Sequence, residues 1–317
     1  MDLYITTFES VAVLLGIGII GFYIIKRQIL PGNILSILSP LALEIALPSL
    51  IFVRIIVNFS PEEYSDWWHL PLWWGLFTII AFGLTLCFRF ISQKKFRSEF
   101  AVTLFFQNAI FFPLAILAGI FPDDPSYMLY LFFFTIFYPP LFFSTYFLFF
   151  KTKKKIKINW RRIIHPVLIA TIIAIVIASI GLTISEGNFI IRIFSLLGAM
   201  TIPLLFLILG GNIYNDFREK GKLFLKETIK FVIVKNFIFP LIFLGILLYL
   251  KDYIPFHIGL ILIIQSAVPP LTAIPIVTKR VGGNRSIVNQ FIVASFSVSL
   301  VSIPLIIFLF SQIFHIP

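Results

Sequence analysis

Apolar stretches of about twenty residues, each bounded by charge, Pro or Gly, follow one another along almost the whole chain, and this repetition decides what it can fold into. A helix rising about 1.5 Å per residue needs about 20 such residues to cross the hydrocarbon layer of a bilayer. Ten stretches of that length fit: 3–25, 33–57, 68–91, 98–121, 126–150, 163–183, 189–214, 228–250, 255–278 and 286–313. A transmembrane β-barrel would show short alternating segments with a polar face instead. Composition agrees. Of 317 residues 59% are hydrophobic and only 12% charged, against about a quarter charged in a soluble domain. Too little polar surface remains to cover a compact soluble globule. The lone Cys87 excludes an internal disulfide. The pattern predicts an all-α polytopic membrane protein with ten transmembrane helices.

The formal charge of +11 points away from nucleic acid, because the basic residues sit between apolar segments. Alternate connections, at 26–27, 94–97, 151–162, 218–230 and 279–285, hold 20 of the 25 Lys and Arg. The intervening ones hold a single base, Lys251, and the acids Asp2, Glu62, Glu63, Asp66, Asp123, Asp124, Glu186 and Asp252. Basic residues stay on the cytoplasmic side of short loops. Both termini are therefore expected outside, in a protein of the cell membrane. Met1-Asp2 lacks the basic start of a cleavable signal, and the first apolar run is long enough to span. The connection at 151–162 is the longest hydrophilic stretch and divides the chain into halves 1–150 and 163–317, with five segments each. An odd number of spans per half means that two halves of one fold insert in opposite orientation. Internal similarity supports such a repeat. Phe106-Gln107-Asn108-Ala109 with Pro113 in segment four resembles Ile264-Gln265-Ser266-Ala267 with Pro269 and Pro270 in segment nine, and Leu47-Pro48-Ser49-Leu50-Ile51-Phe52 resembles Ile202-Pro203-Leu204-Leu205-Phe206.

Polar groups and helix breakers at mid-depth carry the functional information, since unsatisfied backbone in lipid costs several kcal/mol unless it is buried in protein or lines a cavity. Asn108 is near the centre of segment four and Gln265 to Ala267 near that of segment nine, with prolines following both. Proline lacks an N–H and clashes with the preceding turn, so both helices are expected to break at one depth. Half-helix N-termini would then present free N–H groups and positive dipole ends to one point, suited to a carboxylate. The plainer reading is two proline kinks used for packing. The amides of Gln107, Asn108 and Gln265 beside the breaks favour a binding site.

Two charges lie inside segments. Glu44 precedes Pro48 by one turn near the centre of segment two. A charged carboxylate there costs roughly 3 kcal/mol on insertion scales, so it either accepts a proton or cation coupled to a substrate, or is a neutral group hydrogen-bonded across a helix interface. Lys235, beside Asn236 in segment eight, either contacts an anionic substrate, pairs with Glu44, or snorkels toward the cytoplasmic face. Arg54, Arg192, Glu9 and Arg89 fall nearer segment ends and read as interfacial. Gly210-Gly211-Asn212 reads as close packing and capping, and Ser295, Ser297, Ser299 and Ser302 as a close-packed helix face. No grouped nucleophile, base, metal ligands or phosphate-cradling loop appears, and His69, His165, His257 and His315 lie at segment ends. An enzyme is not expected, nor a cofactor or metal.

Several motifs in order resemble the auxin efflux carrier family, the PIN-like membrane transporters that include bacterial malate and malonate permeases and share an architecture with bile acid sodium symporters. They are Leu38-Ser39-Pro40-Leu41 running into Ala46-Leu47-Pro48-Ser49-Leu50-Ile51-Phe52; Asn108-Ala109-Ile110-Phe111-Phe112-Pro113-Leu114; His165-Pro166-Val167-Leu168-Ile169-Ala170; Ile202-Pro203-Leu204 leading to Leu209-Gly210-Gly211; and Gln265-Ser266-Ala267-Val268-Pro269 followed by Lys279-Arg280-Val281-Gly282-Gly283-Asn284. The resemblance implies two inverted five-helix repeats, a scaffold bundle and a transport bundle, and fourth and ninth helices that cross at broken centres. It also implies a substrate beside the crossing that moves by an elevator-like displacement. By position, Asn108 and Pro113 match the first broken helix, and Gln265, Pro269 and Pro270 the second. Ile110-Phe111-Phe112 stands where many members carry glycines, and segments four and nine lack core acids, which argues against sodium coupling.

The expected function is secondary transport of a small organic anion, auxin-like or malate- or malonate-like. The substrate site would comprise Gln107, Asn108, Pro113, Gln265, Ser266, Pro269 and Pro270, with Glu44 and Lys235 as coupling residues. Rival readings are a sodium-coupled symporter of sterol-like anions, a channel, and a non-transporting receptor or scaffold. Expected partners are the lipid bilayer, the anion, a proton or cation, and a second copy in a homodimer. If Glu44 carries the coupled proton, Glu44→Gln abolishes the pH dependence of uptake and leaves binding largely intact, as uptake by proteoliposomes across a pH series would show.

Overall fold

The computed structural model describes residues 2–150, 165–181, 184–185, 187–218 and 223–314, so the basic connection expected at 151–162 lies outside the described residues. Among those residues all regular structure is helical, the arrangement that satisfies every backbone group within its own segment when no water is at hand. Segment one is a single helix, α1 (Asp2–Lys26). Segment two comprises α2 (Ile34–Pro40), a π-helical turn (Leu41–Ala46) and α3 (Leu47–Asn58); segment three is α4 (His69–Phe88). Segment four is split into α5 (Arg97–Phe105) and α6 (Phe111–Ile120), and segment five into α7 (Ser126–Phe134) and α8 (Tyr138–Thr145). In the second half, α9 (Pro166–Ser179) precedes α10 (Phe189–Ala199) and α11 (Thr201–Arg218). Then come α12 (Leu225–Ile233), a π-helical turn (Val234–Ile238), α13 (Phe239–Tyr249), α14 (Phe256–Ala267), α15 (Ile274–Arg280) and α16 (Arg285–Ser311).

Among the described residues, seven helical stretches are long and apolar enough to cross a membrane: Leu3–Lys26, Ile34–Asn58, His69–Ile91, Ser126–Phe149, Phe189–Asn215, Leu225–Tyr249 and Arg285–Ser311. They coincide with seven of the ten apolar stretches. Segments four, six and nine appear as the shorter apolar helices α6, α9 and α14.

The two π-helical turns share a cause. Pro48 and Pro240 each lie just beyond one, and a proline ring collides with the carbonyl four residues earlier. Widening the preceding turn by one residue relieves that collision. The turns hold Glu44 and Lys235, the two ionisable residues read as lying deepest in their segments.

Contacts divide the helices into two groups. In the first, α1 runs along α11, and α3 packs against both α9 and α10. In the second, α4 packs on α5 and α7, while α16 gathers α5, α12, α14 and α15. The groups meet mainly where α1 lies against α6 and α16. Lipid gives helices no hydrophobic reason to associate, so close van der Waals contact and polar bonds must do it. Gly210 of α11 touches α1 so closely that an added Cβ would stand 1.7 Å from the carbonyl oxygen of Gly18, and one on Gly21 would stand 2.2 Å from that of Leu207. This is the close packing read from Gly210 and Gly211. Within the second group, Asn236 donates through Nδ2 to the Ser295 carbonyl at 3.0 Å and to Ser302 Oγ at 3.2 Å, and its Oδ1 accepts from Ser295 Oγ at 2.8 Å. At the end bearing the basic connections, Glu227 accepts from Ser92 Oγ at 2.7 Å, Gln93 N at 3.1 Å and Lys230 Nζ at 2.8 Å. That carboxylate ties the turn after α4 to α12.

Gly210→Ala is expected to lower the unfolding temperature of the purified protein, since overpacking of this kind costs about 1–3 kcal/mol. Gly16→Ala, with no atom within 4 Å of the added Cβ, should leave it unchanged in the same thermal scan.

Candidate functional site

Helix is interrupted at 106–110 and again at 268–273, and the two interrupting pieces touch. Val268 precedes Pro269 and is held extended (φ −66°, ψ 148°), as a residue before proline must be. Phe106 is likewise extended (φ −92°, ψ 96°). The pieces pair antiparallel across Gln107 and Pro270. Asn108 N donates to the Pro269 carbonyl at 2.8 Å, and Leu271 N returns a bond to the Phe106 carbonyl at 2.9 Å. Proline carries no N–H, so Pro269 and Pro270 leave no stranded donor here.

Side chains close the remaining accounts. Gln265 Nε2 donates to the Ala109 carbonyl at 2.7 Å, and Gln107 Nε2 to Gln265 Oε1 at 3.4 Å. The Tyr138 hydroxyl donates to the Gln107 carbonyl. Asn108 Oδ1 accepts from Phe111 N at 3.3 Å and so satisfies the first amide of α6. Lys235 is fully buried: its Nζ donates to the Ser266 carbonyl at 3.0 Å and lies 4.9 Å from the centroid of the Phe239 ring. Ser266 stands in the last turn of α14, where carbonyls lack helical partners and a helix favours a positive group.

A cavity of about 200 Å³ lies beside the crossing. One wall comes from the second helix group through Asn108, Phe111, Phe142 and Ala273, the other from the first through Leu43, Leu47, Phe206 and Leu209. Polar groups are few and include Asn108, Thr272, His165, Ser39 and Asn212. The Asn108 Nδ2 group donates to nothing among the described residues. Nor do the N–H groups of Ile110, Thr272 and Ala273, three residues on the cavity wall. His165 Nδ1 accepts from Val167 N at 3.3 Å, which leaves Nε2 to carry the proton of a neutral ring. His165 is the N-cap of α9 and Asn212 lies in the last two turns of α11, both beside basic connections, so the cavity lies on that side of the crossing.

The expected site residues separate into two kinds. Asn108 borders the cavity, whereas Gln107, Gln265, Pro269 and Pro270 are spent on the crossing, Ser266 bonds within α14 to the Ile263 carbonyl and accepts from Lys235, and Pro113 is buried in the first turn of α6. Lys235 neither snorkels nor pairs with Glu44, and it does not reach the cavity, because the π-helical turn before Pro240 aims it at the end of α14. Glu44 is exposed and stands next to the cavity-lining Leu43 in the first π-helical turn. Residues not singled out for the site were Ser39, Tyr138, His165, Asn212 and Thr272. Two of these had a signal in the sequence: Tyr138 precedes Pro139-Pro140, a double proline like that at 269–270, and His165 stands in the N-cap position before Pro166.

No curated protein matches the chain significantly. A family model described as membrane transport protein matches residues 6–307, nearly the full length. A crossing of two interrupted helices beside a cavity walled by two helix groups, in a chain matched from end to end, places this protein in the membrane transport protein family, the auxin efflux carrier or PIN-like transporters.

Proposed function

We propose that the chain is a secondary transporter of small organic anions, and that a carboxylate binds beside the crossing to the N–H groups of Ile110, Thr272 and Ala273 and to Asn108 Nδ2. The observation that carries this reading is the set of unspent donors on one cavity wall. Donors already in place in a low-dielectric pocket stabilise an anion without reorganising. The remaining walls, with Phe111, Phe142, Phe143 and Phe206 and no Lys or Arg among the described residues, favour a monocarboxylate with an apolar body over a dicarboxylate, whose second charge would find no cation.

The ten segments form two inverted repeats, 1–150 and 163–317, each contributing one of the two interrupted helices that cross. The reciprocal pair of main-chain bonds between segments four and nine supports that pseudo-symmetry. In an elevator-type cycle the second helix group slides against the first, carrying the crossing and the anion with it. The cavity belongs to both groups, as such a displacement requires. With basic connections in the cytoplasm and both termini outside, the cavity opens inward. Glu44, next to the cavity-lining Leu43, is the proton-coupling group. Lys235 is a positioning residue that holds α14 at the break.

Proteoliposomes should show saturable counterflow of apolar monocarboxylates in preference to malonate-sized dicarboxylates; ligand binding with no flux across a broad panel would make the protein a receptor instead. Asn108→Ala should raise the half-saturation concentration by the equivalent of about 1–3 kcal/mol. Lys235→Met keeps most of the unbranched side chain but leaves the Ser266 carbonyl unpaired. It is expected to lower the maximal counterflow rate with little change in half-saturation, a split that separates positioning from binding in the same assay.

A further inference from the structure

A second cavity, of about 400 Å³, lies between α3 and α10, away from the crossing, and both Arg54 and Arg192 line it. Arg54 is four residues from the end of α3 and Arg192 three from the start of α10, so each stands about one 5.4 Å turn inside its helix end. Both ends lead into connections poor in Lys and Arg. Gly198 lets α10 close against α3: an added Cβ there would stand 2.8 Å from Leu50 Cα. Asn58, on the same wall, has its Nδ2 committed to the Arg54 carbonyl at 3.0 Å. Neither arginine has an acidic partner among the described residues.

Two guanidinium groups with no counter-charge among the described residues, beside an apolar surface, repel each other and attract an anion. Their planar donor forks match a phosphate pairwise. The surroundings identify the phosphate's carrier. Leu196, on the cavity wall, is 74% exposed and neighbouring Ile193 is 52% exposed, so the site opens onto surface that suits hydrocarbon and disfavours a free hydrated ion.

We propose that this groove binds an anionic phospholipid of the leaflet facing the Lys/Arg-poor connections, with its phosphodiester between Arg54 and Arg192 and an acyl chain along Leu196. The groove is built wholly from the first helix group, so the lipid stays with that group. The assignment holds whether or not the chain transports.

The purified full-length protein would be titrated with dioleoylphosphatidylglycerol, dioleoylphosphatidylcholine or inorganic phosphate, and adducts read by native mass spectrometry beside thermal unfolding. Phosphatidylglycerol should be retained over phosphatidylcholine, and millimolar phosphate should not displace it. The double variant Arg54→Gln, Arg192→Gln should bind phosphatidylglycerol roughly ten- to thirtyfold more weakly, at about the strength expected for two basic side chains near a membrane surface. Lys251→Gln, outside the groove, should bind as the unaltered protein does. Arg192→Gln alone, on an exposed position, should give an intermediate loss and guards against a folding defect in the double variant. Unchanged phosphatidylglycerol retention in the variants would overturn the proposal, as would complete displacement by inorganic phosphate. A lipid-independent dimer that the double variant dissociates would assign the groove to a second copy and overturn it equally.

Discussion

Two main-chain hydrogen bonds, Asn108 N to the Pro269 carbonyl and Leu271 N to the Phe106 carbonyl, let two helices stop and restart inside a layer that offers no water. Each unpaired group there would cost several kcal/mol. Once the interruptions are paired, the loose ends they create become useful. Carbonyls ending α14 receive Lys235, the α6 terminus receives Asn108, and a few N–H groups remain unspent at the cavity. Gln107 and Gln265 interlock so that the crossing behaves as one unit. A satisfied network of this kind holds its neighbours in one arrangement, and the donors at its rim inherit that rigidity.

The same seam explains the shape of the rest. Glycine contacts bring α1 and α11 to backbone distance, and the Asn236–Ser295–Ser302 cluster binds α16 to the turn before α13. One group is therefore joined by close packing and the other additionally by buried polar bonds. The cavity lies along the boundary between them, lined from both sides.

Much of this was legible in the residues. Apolar run length and alternating charge located segment two at 33–57, against a helical stretch of Ile34–Asn58, and Pro113, Pro269 and Pro270 marked the interruptions. Which amide faces the cavity was not legible. Successive side chains of an extended piece point to opposite sides, so Gln107 turns to Gln265 and Asn108 to the cavity, and only the pairing register decides between them. Lys235 was misplaced for a different reason. Depth along an ideal helix ignores the extra residue that Pro240 forces into the preceding turn. The cavity walls contributed by His165 and Asn212 depend on how distant segments pack, which spacing along one chain does not encode.

The crossing joins residues 158 positions apart, and this imposes an order on assembly. A ribosome adding about 5–20 residues per second needs roughly 8–30 seconds to supply the partner of the first break. Through that interval the nascent fourth segment sits in the membrane with its main-chain groups borrowed by temporary neighbours, or waits beside the insertion machinery. The N-terminal half is thus an unfinished product until translation nears its end, and a chain cut short before the second break has no means of completing the first.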